Sequence, residues 1–184
     1  MPTPPQTPKL PPLAALANEG QLADALSILF EPSPALLEKL VPAIHAQPLQ
    51  RVESYETFID LALSIISSWP KEDRASFISG HPRIGEVKNL SALSAAEQAR
   101  TATPPEVLER LGRQNEEYET LYPRLRYITF VNGRSRAQVA DEMEERLQRV
   151  RGDGQVDERE WEGELMRAVV DVGKIAKSRL SVLL

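Results

Sequence analysis

An all-α fold, one helical bundle with a single short extended segment near residues 127–131, is what this sequence predicts. Three observations carry the prediction. Leu, Ala and Glu dominate, while aromatic residues make up only 5% of the 184 positions. Apolar residues recur at the three- and four-residue spacing of a helix face. Prolines and Ser-x-x-Glu or Ser-x-x-Gln pairs fall between those stretches, where helices start and stop.

Met1 to Pro12 carries Pro2, Pro4, Pro5, Pro8, Pro11 and Pro12 and reads as a disordered tail, leaving residues 13–184 as the folded domain. Leu22, Leu26, Leu29 and Phe30 share one face of a first helix, which breaks at Glu31-Pro32-Ser33-Pro34. Ser33 caps the next helix, with Pro34 at its first position and a stripe of Leu36, Leu37, Leu40, Val41 and Ile44. A third helix starts near Ser54 and carries Phe58, Leu61, Ala62, Ile65, Ile66 and Trp69 until Pro70 ends it. A short helix from Lys71 to Gly80 runs into His81-Pro82.

Thr103-Pro104-Pro105-Glu106 is expected to form a capping box opening a helix through Val107, Leu108, Leu111, Asn115, Tyr118 and Leu121. Tyr127-Ile128-Thr129-Phe130-Val131, β-branched and aromatic, is the extended segment. Asn132-Gly133 turns the chain, and Ser135 with Gln138 caps a helix bearing Val139, Met143, Leu147 and Val150. Asp157 and Glu160 open a last helix that runs almost to Leu184.

Composition excludes several chemistries. Without cysteine there is no disulfide, thiolate nucleophile or Cys-based zinc site, and two histidines, His45 and His81, cannot build a multi-histidine metal cage. A net charge of −5 argues against nucleic-acid binding, and Arg124, Arg126, Arg134 and Arg136 read as a solvated basic face that could attract a small anion. No apolar run approaches the ~20 residues of a membrane span, and no leader marks secretion, so an intracellular protein is expected. Asp153, Gln155, Asp157 and Glu164 imitate a calcium loop, but Glu158 stands where the sixth position requires glycine.

Three features could carry chemistry. His81 sits between Gly80 and Pro82, where a stiff break can aim a titrating nitrogen into a cleft; the plainer reading is a surface histidine at a helix C-terminus. Ser94-Ala95-Ala96-Glu97-Gln98 reads as a capping box, or as a first turn presenting Glu97 and Gln98 to a polar ligand. In the last helix Arg179 falls on the apolar stripe of Trp161, Leu165, Ala168, Val169, Val172, Ile175, Ala176 and Leu183. There it must snorkel out or meet an anion.

His-Pro with a following Gly, Ser-x-x-Glu-Gln, Asn115-x-x-Tyr118, the extended segment and a closing Lys-Ile-Ala-x-x-Arg-Leu-x-x-Leu-Leu stand in one order from Leu22 to Leu184. That order resembles the OHCU decarboxylases, named for 2-oxo-4-hydroxy-4-carboxy-5-ureidoimidazoline. The resemblance implies an all-helical fold, a homodimer and a small ureidoimidazoline substrate. It also implies decarboxylation to (S)-allantoin without a cofactor or metal. Carried over residue by residue, it makes His81 the proton donor and Pro82 its substrate-contacting neighbour. Ser94, Ala95, Ala96, Glu97 and Gln98 become a second binding segment, with Glu97 the partner of His81 or of the substrate hydroxyl. Tyr127, Ile128, Thr129, Phe130 and Val131 line the pocket, and Arg179 holds the substrate or orders Glu97. Asn132 stands where many relatives carry arginine, and Arg83-Ile84 replaces Asp-Leu. Two rival readings are a ureide-binding homologue without turnover and a helical interaction module docking through its proline-rich tail. Ser178-Arg179-Leu180 is internal, so no C-terminal peroxisomal tripeptide is present and cytoplasm or peroxisome both fit.

Overall fold

Capping side chains appear where the sequence sets them, and they fix the helix starts. The computed structural model describes residues 8–86, 90, 91, 93–95, 103–153 and 156–184. A 3-10 turn, Leu13–Ala17, leads into α1, Glu19–Phe30, whose first turn is capped by Asn18 accepting from the Gln21 N–H. Ser33 accepts from the Leu36 N–H at 3.1 Å and starts the second helical stretch. Helix α3, Tyr55–Ser68, carries a capping box made by Ser54 and Thr57. Helix α4 is Lys71–Ser79, α5 is Pro105–Leu121, α6 is Arg136–Asp153 and α7 is Glu158–Leu183. Ser135 and Gln138 exchange the expected pair of bonds before α6, and Asp157 accepts from the Glu160 N–H before α7.

Among the described residues there is no strand. The segment through 127–131 crosses the molecule as a single non-helical stretch, so its main chain has no sheet partner. Two local expectations are corrected. Pro104, which has no side-chain cap to offer, takes the position before α5, and Thr103 instead accepts a bond from Arg136. Leu37 is not on the buried stripe, being 46% exposed. The cause is Pro42: lacking an N–H and crowding the preceding turn, it cannot continue an α-helix. The chain widens into a π turn over Leu36–Leu40, with the Val41 N–H reaching the Leu36 carbonyl, before α2, Val41–His45. The expected tail is described only from Pro8 onward. There Leu10 packs against the core and the Tyr55 hydroxyl donates to the Pro11 carbonyl at 2.5 Å.

Helix α7 is the axis of the bundle. It packs against α1, α3 and α4, while α5 pairs with α6. Leu165, Ala168, Val169, Val172, Ala176 and Leu180 turn inward and are buried. Each fully buried Leu, Ile or Phe contributes about 1.5–3 kcal/mol relative to exposure. Gly173 lets α3 close in, since a Cβ there would lie 2.6 Å from Leu63 Cδ1. No helix among the described residues is long and apolar enough to cross a membrane.

Candidate active site

The C-terminal ends of α1, α4 and α7 meet at one end of the bundle, each delivering one polar residue: Glu31, His81 and Arg179. All three are buried, at 5%, 6% and 5% exposure. Gly80 makes the meeting of α1 and α4 possible. A Cβ on it would stand 2.5 Å from Ser33 Cβ, so the turn after α1 lies directly on the turn that carries His81.

His81 Nδ1 lies 3.2 Å from the Phe77 carbonyl. A carbonyl only accepts, so Nδ1 carries the proton and a neutral ring leaves Nε2 with a bare lone pair. That Nε2 is buried and makes no hydrogen bond. Burial pushes the imidazole pKa down to about 4; the Glu31 carboxylate raises it in part and the Arg179 guanidinium lowers it. The ring packs edge-on against Phe77, and Arg126 donates to the His81 carbonyl. His81 is therefore an internal imidazole held toward its neutral form and not a solvent-facing helix cap.

Arg179 does not snorkel. Its Nη1 donates to the Ile28 and Leu29 carbonyls at 3.1 Å each, satisfying the open end of α1. Its Nη2 donates to Glu31 Oε1 at 2.7 Å and to Ser94 Oγ at 3.1 Å. Ser94 and Ser91 donate to the same Glu31 oxygen at 2.7 and 2.9 Å. Burial alone would push the Glu31 carboxyl up; the guanidinium and the two hydroxyls hold it below the usual carboxylate range. Glu31 is the polar residue that sequence reasoning passed over. Its one signal was an acidic side chain closing a helix ahead of a proline, where the dipole disfavours it unless a cation answers.

A cavity of about 490 Å³ opens beside these groups. His81, Pro82, Ser94, Arg179 and all of Tyr127 to Val131 line it, so the structure brings these predicted residues together. Ala95 is exposed on the turn after Ser94. Ala96, Glu97 and Gln98 lie outside the described residues. Arg83, Arg134, Arg136 and Arg179 line the cavity, and three of these guanidiniums are already paired with a carboxylate, Arg83 with Glu119, Arg134 with Glu142 and Arg179 with Glu31.

Of the arginines read as a solvated face, Arg124 is exposed as expected, whereas Arg126 and Arg134 turn inward onto main-chain carbonyls and Arg136 donates to Thr103. Arg134 donates to the Phe130 and Val131 carbonyls, to Thr129 Oγ1 and to Glu142. Arg167 donates to the Ile128 carbonyl at 2.7 Å and lies over the Tyr127 ring at 5.2 Å. Its fork is held by Glu164, which also takes Tyr118 and Arg146. The wall thus hands the Ile128, Phe130 and Val131 carbonyls to the scaffold, while the N–H groups of Ile128 to Val131 bond to no other described residue. Asn115 braces the loop after His81 by donating to the Ile84 carbonyl at 3.0 Å.

Comparison with known proteins follows from this geometry. A sequence profile described as OHCU decarboxylase matches residues 16–181. No curated protein matches the chain in sequence. A crystal structure of (S)-allantoin synthase superposes with a TM-score of 0.62 at 21% identity, covering 94% of this chain. It covers 54% of that one, so the present chain spans about half its length, and the likeness speaks for the fold.

Proposed function

Because the chain belongs to the OHCU decarboxylase family, we propose that it decarboxylates 2-oxo-4-hydroxy-4-carboxy-5-ureidoimidazoline to (S)-allantoin. The observation that carries the reading is His81: an imidazole that lines a cavity bordered by guanidiniums and whose buried Nε2 has no hydrogen-bond partner. Such a nitrogen is a base ready at neutral pH, and the guanidiniums suit a substrate carboxylate.

The substrate supplies its own electron sink. As the C–CO2 bond breaks, its electron pair moves into the ring toward the C=N bond, whose nitrogen takes a proton. Nε2 of His81 accepts the proton of the hydroxyl on the carbon that lost CO2, the C=O forms, and the proton returns to the neighbouring ureido-bearing carbon on one face. Loss of CO2 from the carboxylate consumes one proton overall. Main-chain N–H groups of Ile128 to Val131 bind ring and ureido oxygens, and closure of the cavity around the ring excludes water. Pro82 borders the ring, Ser94 to Gln98 form the second binding segment, and Glu97 orders the substrate hydroxyl. Arg179 keeps this end of the bundle in register through Glu31 and Ser94. The active species is a homodimer, which sedimentation equilibrium measures directly.

The test generates the substrate in situ from urate and follows the circular dichroism of the allantoin formed. Rapid accumulation of one enantiomer, absent with His81→Ala, is the expected result. Background-rate racemic product with the wild-type chain refutes the proposal and selects the second reading, a ureide-binding homologue. Asn132, cavity-lining and held at φ 46°, is the residue that favours this alternative.

A further inference from the structure

We propose that Glu31 is a specificity-determining residue whose second carboxylate oxygen, Oε2, accepts a hydrogen bond from the ureido N–H donors of the ligand. The proposal deepens the decarboxylase reading and rests on it for the identity of the ligand.

The first observation is the backbone. Glu31 sits at φ 63° and ψ 139°, a region that side chains with a Cβ rarely adopt. A conformation of this kind costs about 1–3 kcal/mol and persists where the surroundings require it. Here it turns the carboxylate inward, away from the solvent that a helix-terminal glutamate would ordinarily seek.

The second is the division of labour within that carboxylate. Oε1 takes all three donors, Arg179, Ser91 and Ser94. Oε2 takes none from the described residues, although it is not among the fully enclosed unbonded atoms, and Glu31 lines the cavity. A carboxylate oxygen open to an otherwise enclosed space is a strong acceptor without a donor.

The third is what the opposite wall lacks. The carbonyls of Ile128, Phe130 and Val131 already accept from Arg167 and Arg134, which leaves that of Thr129 as the one acceptor of Ile128 to Val131 without a described donor, so the wall offers more unbonded N–H groups than unbonded carbonyls. A ureido group brings oxygen for those donors, but it also brings N–H groups that need acceptors. Glu31 Oε2 meets that need, and its retained charge makes it an acceptor at every working pH. A ring without the ureido arm would leave it unanswered.

Allantoin and hydantoin test this, since they share the ring and only allantoin carries the ureido arm. Isothermal titration of both is run on the full wild-type chain, on Glu31→Gln and on Glu31→Asp, with thermal unfolding followed by circular dichroism. The wild type is expected to prefer allantoin by about tenfold or more, the scale of a hydrogen bond to a charged group. Both variants are expected to lose that preference with hydantoin affinity unchanged within about twofold. Glu31→Gln removes the charge that faces Arg179 and can unfold; Glu31→Asp keeps the charge, withdraws it by one methylene and then decides the matter alone. Preference retained in Glu31→Asp, equal loss of both ligands, or a wild type without preference overturns the proposal. Preference for allantoin in a wild type that makes no enantiomeric excess would sink the decarboxylase reading while leaving the Glu31 contact in place. Stereospecific turnover without that preference would do the reverse.

Discussion

Replacing Arg179 with methionine breaks the buried ion pair together with the other hydrogen bonds of its guanidinium. The substitution roughly conserves side-chain length and removes the charge. Both partners are nearly sealed from water, their side chains 4% and 6% exposed, so solvent screening does not dilute the interaction. Removing one partner strands a buried carboxylate on two serine hydroxyls, a loss of about 3–5 kcal/mol. The Ile28 and Leu29 carbonyls lose their donor as well. For a chain of this size each kcal/mol is about 2–4 °C in Tm, so a fall of about 6–20 °C is expected. The sign of the pH dependence is also fixed. Without the guanidinium, burial pushes the Glu31 carboxyl up, and a folded-state pKa above the unfolded one contributes stability at low pH that is lost as pH rises. The deficit of Arg179→Met against wild type therefore shrinks between pH 7 and pH 5. Urea unfolding followed at 222 nm measures both quantities. A deficit under about 1 kcal/mol at pH 7, or one that does not change with pH, would refute the reasoning.

Four further outcomes are expected. With the His81 pKa at about 4, kcat/KM should stay flat from pH 8 to pH 5 and fall only near pH 4. An ordinary histidine would leave only about 3% of the base form at pH 5, so a midpoint near 6.5 in the pH–rate profile would count against a buried catalytic His81. The same depressed pKa makes the fold lose stability as pH drops through the window from 6.5 to 4, which acid titration by circular dichroism follows. Gly80→Ala drives a Cβ to 2.5 Å from Ser33 Cβ, and a cost of about 1–3 kcal/mol together with a drop in kcat larger than the rise in KM is expected. Arg134→Met frees the Phe130 and Val131 carbonyls and should raise KM about tenfold with the overall fold intact; steady-state kinetics that match wild type would show that the wall needs no brace.

What could be read from the sequence, and what could not, divides by distance along the chain. Ser33, Ser54, Ser135 and Asp157 announce their helices because a cap bonds three residues ahead, and the structure follows. Pro42 could not be read as a π turn, because the pattern around it is helical and the remedy for a missing N–H is a choice among backbones. Arg179 on an apolar stripe pointed to an anion, and one is there. Its identity was hidden, since Glu31 lies 148 residues away and by itself looks like an ordinary helix end. The inward turn of Arg126 and Arg134 was equally invisible: a guanidinium seeks unpaired carbonyls, and which carbonyls lack a partner is a property of the folded chain. Pocket-lining membership for His81, Ser94 and residues 127 to 131 came from the family resemblance, and the cavity unites them.

The wall at 127–131 has a consequence for anyone wishing to alter what this protein accepts. Its unbonded donors are main-chain atoms, which no substitution at those positions removes short of proline. Its alignment is instead set largely from behind, by Arg167 and by the Glu164 and Glu142 that hold Arg167 and the cavity-lining Arg134. Mutagenesis libraries confined to residues touching the ligand would leave the arrangement of those donors untouched. The productive positions lie one layer back, on α6 and α7, where a change of charge tilts the whole segment and with it the pattern of hydrogen bonds offered to a ring.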